Sequence, residues 1–145
     1  MPNSTSSPSI VKPMGFDYGH KRIGVAIGQG ITNTATPVAI VNAKNGEPCW
    51  QEIQKLIQKW RPSILLIGMP LHMDGAQPKQ IEAIETFKAQ LQQHCDLDIE
   101  YVDERLTTQE ARSQLREKDK HNREPVKKVD AYAACLIVQS WLNEH

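Results

Sequence analysis

Cysteine is scarce in this chain. Cys49, Cys95 and Cys135 are the three among 145 residues. Their number is odd, their spacings are wide and no C-x-x-C pair occurs, which argues against both a disulfide framework and a zinc site. They are expected as buried, reduced thiols of a cytosolic protein. The five histidines form no metal motif, and His94 beside Cys95 reads as a helix end. Long apolar runs are also missing. The longest, Ile64 to Ile67 flanked by Gly68 and Met69, has the length of a buried strand. It falls far short of the ~20 residues of a membrane helix, so no membrane association is expected. Residues 1–13 are rich in Ser, Pro and Asn but lack the basic start and apolar stretch of a secretory signal. They read as a disordered leader before one domain spanning 14–145.

No sign of charge is in excess: Lys plus Arg and Asp plus Glu both number 17. Global charge therefore gives no hint of a nucleic-acid partner, but its distribution is uneven. Residues 112–128 hold seven bases, among them Lys127 and Lys128, against three acids. That run is a candidate phosphate-binding patch, with a solvated helix end and loop as the plain alternative.

The periodicities give an order of elements. Met14–Asp17, Ile23–Gly28 and Pro37–Val41 read as strands, and the short loops between them imply an antiparallel meander. The period then changes. Trp50, Ile53, Leu56, Ile57 and Trp60 recur at helical spacing, with Pro48 near the start and Pro62 after the end. Ile64–Ile67 is apolar on both faces, as a central parallel strand should be. A helix from about Lys79 to Gln93 follows, its buried stripe Ile81, Ile84, Phe87 and Leu91. A shorter, more polar strand at Asp98–Val102 belongs nearer an edge. Thr107 to Glu110 has the form of a capping box, opening a helix to about Arg116. Val129–Leu142 is the last helix. The expectation is an α/β fold, a mixed five-stranded sheet covered by helices, with no internal repeat.

Most acids lie on polar helix faces or in loops, but a few do not. Asp17 ends the first strand before a Gly turn, Asp103-Glu104 follows the fifth strand, and Asp130 stands in the first turn of an apolar helix. If strands one and five are parallel, Asp17 and Glu104 lie on one sheet edge, where sites form. The last helix could bring Asp130 to them. Clustered carboxylates repel unless a cation joins them, and Mg²⁺ or Mn²⁺ prefers oxygen ligands. Two such ions can activate water and stabilise the leaving oxygen of a phosphodiester. Each acid also has a plain reading: an Asx turn at Asp17, an ion pair of Glu104 with Arg105 or Arg112, a helix-dipole contact at Asp130. Adjacent strand residues point to opposite faces, so one of Asp103 and Glu104 must turn away from such a cluster.

Four segments carry a family resemblance. Phe16-Asp17-Tyr18-Gly19-His20-Lys21-Arg22-Ile23-Gly24-Val25-Ala26, Gly68 to Gly75, Asp103-Glu104-Arg105-Leu106-Thr107-Thr108 and Lys128 to Ala134 together resemble the motifs of the YqgF family, also called RuvX. The matching stretches run from Met14 to Trp141, and His72 stands where the family's second motif usually has Asn. The resemblance implies an RNase H-like fold and a nuclease with Asp17, Glu104 and Asp130 as its acids. It implies 5′-end maturation of pre-16S rRNA in the cytoplasm, with a Holliday-junction resolvase-like DNA endonuclease as the alternative. RNA and branched DNA carry similar backbone charge, and no RNA-reading motif separates them. Lys127, Lys128, Lys21 and Arg22 are the candidate nucleic-acid contacts, and a homodimer is compatible with the sequence. Two other functions compete. An RNA-binding assembly factor would not need all three acids. An ATP-binding protein of the actin or sugar-kinase type shares the Asp17-Tyr18-Gly19 turn, but needs a second domain and a second D-x-G loop.

Overall fold

The strands expected between Met14 and Val41 and the helical period that begins at Trp50 are both present in a computed structural model, which describes residues 11–70, 78–103 and 127–145, with side chains from Ala131 onward in the last stretch. The strands are β1 (Pro13–Asp17), β2 (Arg22–Gln29), β3 (Thr34–Lys44), β4 (Glu47–Pro48), β5 (Ile64–Met69) and β6 (Ile99–Asp103). The helices are α1 (Trp50–Trp60), α2 (Pro78–His94) and α3 (Lys127–Glu144). Among the described residues the strands form one sheet in the order β4-β3-β2-β1-β5-β6. The meander β1–β2–β3–β4 is antiparallel, while β5 pairs in parallel with both β1 and β6. The carboxyl ends of β1, β5 and β6 therefore share one edge.

Alternation divides the apolar residues between two faces. Met14 and Phe16 of β1, Leu65 and Ile67 of β5, and Val25 and Ile27 of β2 pack with Ile53 of α1 and with Ile84, Phe87 and Leu91 of α2. On the other face Ala26, Leu66 and Val102 meet Ala134, Ile137 and Val138 of α3. Ile137 and Val138 are fully buried, each contributing about 1.5–3 kcal/mol relative to exposure. α3 comes close because β1 and β2 present glycines to it. A Cβ at Gly28 would lie 2.6 Å from Val138 Cγ1 and 3.2 Å from Leu142 Cδ1. α1 stops where Arg61 turns left-handed (φ 48°) and donates its N–H to the Ile57 carbonyl at 2.9 Å; Pro62 cannot continue the helix.

The expected five strands become six. β4 is a two-residue pairing of Glu47 and Pro48 with Lys44 and Ala43, so Pro48 closes a hairpin rather than opening α1. β3 is longer than Pro37–Val41 because Thr34 to Thr36 pair with Gln29 to Ile27. The thiols divide: Cys135 is buried as expected, Cys95 is half-buried and Cys49, just before α1, is exposed. Val11 and Lys12, at the end of the expected leader, are tied in through Gly30 N–H to the Val11 carbonyl and Ser63 N–H to the Lys12 carbonyl, both 2.9 Å. The capping box and helix expected at 107–116 lie outside the described residues. No helix among the described residues is long and apolar enough to cross a membrane.

Candidate active site

Asp17 closes β1 and is half-buried. It shares a face with Gly15, where a Cβ would lie 2.5 Å from Val138 Cγ2, so Asp17 belongs to the α3 side of the sheet. Its neighbours are held on the other side. The Phe16 ring lies 5.7 Å from that of Phe87 of α2. The Tyr18 ring packs against the same ring at a tilt of 36°, centroids 4.9 Å apart, and its hydroxyl donates to the Gly46 carbonyl at 2.6 Å. Burial, with a smaller contribution from Glu47, raises the Tyr18 phenol above its ordinary pKa.

The acceptor for Tyr18 comes from a turn. Asn45 (φ 54°) and Gly46 (φ 83°) are both left-handed, the two-residue connection that joins β3 to β4. Gly46 N–H also donates to the His20 carbonyl at 3.1 Å. A Cβ at Gly46 would come 3.2 Å from the Tyr18 hydroxyl and 3.3 Å from His20 Nδ1. The hairpin thus clamps the turn that follows Asp17. The sequence signal for it is the Asn45-Gly46 dipeptide, the pair that such a two-residue turn favours.

At the far strand of the shared edge, Asp103 pairs with Met69. Glu100 Oε1 accepts from Trp141 Nε1 of α3 at 3.1 Å, and Val102 is in the α3-side core. Tyr101 points the other way, with Lys88 Nζ 4.5 Å from its ring centre. Alternation gives Asp103 the Tyr101 face, opposite to that of Asp17. Glu104 lies outside the described residues. Asp130 is in the first turns of α3, one turn before Ala134, and Lys127 and Lys128 open that helix; the side chains of all three lie outside the described set. Lys21 and Arg22 are exposed where β2 begins, three and two residues from Gly24 of the Asp17–Gly24 pair, on the same edge. Among the described residues no three His, Cys, Asp or Glu side chains stand close enough to share a metal ion.

A mixed sheet with an antiparallel meander, two parallel strands and helices on both faces is the RNase H-like arrangement. Solved structures agree in fold. The RuvC of T. thermophilus in complex with Holliday junction substrate aligns with a TM-score of 0.60 at 13% identity, covering 92% of this chain and 96% of that one. The fowlpox virus resolvase in complex with Holliday junction DNA gives 0.54 at 13% identity, covering 92% and 98%.

The sequence profile of the RuvX family, described as a Holliday junction resolvase, matches residues 11–144, and the chain belongs to that family. A protein of Aeromonas salmonicida (strain A449), provisionally named a pre-16S rRNA nuclease, is 42% identical over 139 residues, covering 96% of this chain and 97% of the relative. One of Coxiella burnetii (strain RSA 493 / Nine Mile phase I), with the same name, is 43% identical over 131 residues, covering 90% and 92%. Family and relatives together support a phosphodiester-hydrolysing enzyme.

Proposed function

We propose that this chain is a cytoplasmic, metal-dependent nuclease that matures the 5′ end of pre-16S rRNA, with Asp17, Glu104 and Asp130 as its active-site acids. The observation that carries the reading is the course of α3 along β1. Gly28, level with Pro13, meets Leu142 and Val138, while Gly15 meets Val138 and Ala134. The helix therefore runs against β1, stepping back one turn for every two strand residues. Four helical residues rise about 6 Å, and two strand residues span about 6.6 Å. One further step of each supports a meeting of position 130 with Asp17. Alternation carried one residue past Asp103 supports Glu104 on the same face.

Three carboxylates at one edge repel one another unless a cation joins them. A donor set of carboxylate oxygens alone fits Mg²⁺ or Mn²⁺, and Asp17, Glu104 and Asp130 would hold it. When bound, such ions activate water for attack and stabilise the leaving oxygen. The chain's own bases serve the substrate. Lys21 and Arg22 at the same edge, and Lys127 and Lys128 at the start of α3, would neutralise phosphates beside the scissile one.

The relatives' name favours precursor rRNA as substrate. The family description favours a second reading, cleavage of a four-way DNA junction. Wild type and Asp17→Asn are to be compared in Mg²⁺ or Mn²⁺ on a pre-16S 5′ fragment, single-stranded RNA and a four-way DNA junction. RNA cleavage that vanishes in the variant supports the proposal. Cleavage of the junction alone supports the second reading. A wild type that cuts none of the three would sink both.

A further inference from the structure

The face of the sheet opposite α3, away from the side to which Asp17 belongs, carries a groove. It lies between the clamped turn after Asp17 and α2, and it has two lobes sharing Tyr18, His20, Lys79 and Ala83. The smaller lobe, about 280 Å³, is completed by Gly19 and Gln80 and has no acid in its lining. The larger, about 480 Å³, adds Glu47 and Glu82 together with the amides of Asn45 and Gln90. These volumes suit the parts of one nucleotide.

From this division of charge we infer that the groove binds one nucleotide of a single strand flanking the cut, its phosphate in the smaller lobe and its base in the larger. The inference rests on the nuclease reading, since it takes the strand to leave the Asp17 edge across the turn. Lys79 is exposed and presents a point charge that phosphate accepts without demanding geometry. His20 and Gln80 add donors beside it. In the larger lobe the two carboxylates repel phosphate, while they and the amides can pair with the edge of an unstacked base. The lobes share four lining residues, which puts both within reach of one nucleotide. The turn is built to keep this shape: the Gly46 carbonyl holds Tyr18, and the Gly46 amide holds the His20 backbone.

The test is fluorescence anisotropy of a labelled single-stranded RNA decamer without divalent metal, at several salt concentrations. Lys79→Gln should weaken binding roughly three- to tenfold and lower the slope of log K against log salt by about 0.7. Ala83→Leu, which narrows both lobes at a half-buried position, should weaken binding at every salt concentration with an unchanged slope. Lys55→Gln on the remote face of α1 should change neither. Asp17→Asn should retain the affinity while losing cleavage. Groove variants that bind like wild type, while wild type cuts normally, overturn the groove and leave the nuclease reading standing. Groove-dependent binding by a wild type that cuts nothing overturns the nuclease reading alone.

Discussion

Gly15 of β1 and Val138 of α3 pack so closely that a Cβ added at Gly15 would lie 2.5 Å from Val138 Cγ2 and 3.3 Å from the Ala134 carbonyl oxygen. Val138 is fully buried and branched at Cβ, so it cannot swing clear. Gly15→Ala should therefore cost about 1–3 kcal/mol through overpacking. Val138→Ala removes the opposing methyls, and the double variant should be less destabilised than the sum of the two single changes. Urea unfolding of all four proteins measures the coupling; strict additivity would show that α3 does not rest on Gly15.

Burial pushes the Cys135 thiol up from 9.0 to about 12. The folded chain thus keeps a proton that the unfolded chain has lost. Its contribution to stability is complete below pH 9 and declines as pH climbs from 9 towards 12. Tyr18 and Tyr101, also raised by burial from 10.0, add their own loss only above that value. Between pH 9 and 10, wild type should lose stability more steeply than Cys135→Ala. Parallel urea midpoints for the two proteins across that window would contradict the assignment.

Lys127 and Lys128 stand one helical turn or less before Asp130. Replacing both by Gln should weaken substrate binding, with chemistry at saturation less affected. Each lost phosphate contact should remove about 0.7–0.9 from the salt slope. Binding titrations at several salt concentrations check this, and equal slopes would move the substrate path to Lys21 and Arg22.

Asp103 lies on the face of Tyr101, away from Asp17. Glu104→Gln should therefore reduce the cleavage rate far more than Asp103→Asn, by roughly tenfold or more between the two. The reverse ranking would show that a different carboxylate of the pair serves the centre.

Much of this was legible from residue patterns because the pattern and the packing agree. Ile64 to Ile67 is apolar throughout, and β5 has a helix layer on each face. Asp98–Val102 is shorter and more polar, and β6 is an edge. The misreadings occur where pairing, rather than burial, decides. Thr34 and Thr36 are exposed, and they join β3 only through their ladder with β2. Pro48 looked like a helix start, but it ends a hairpin set by Asn45 and Gly46. The groove was out of reach for a further reason: it depends on the Tyr18 hydroxyl meeting a carbonyl 28 residues away. Of the site, the edge that Asp17 shares with the end of β6 followed from strand order, whereas the approach of α3 depends on glycines whose value appears only in contact.

The most direct measurement is single-turnover cleavage of a pre-16S 5′ fragment by wild type and Asp17→Asn, in Mg²⁺ or Mn²⁺, at equal concentrations of folded protein. The substitution removes a carboxylate charge and almost no volume, so cooperative unfolding should persist. The rate should fall by at least about a hundredfold. A folded Asp17→Asn protein that cleaves at the wild-type rate would contradict the account, because the end of β1 would then not be where the phosphodiester is cut.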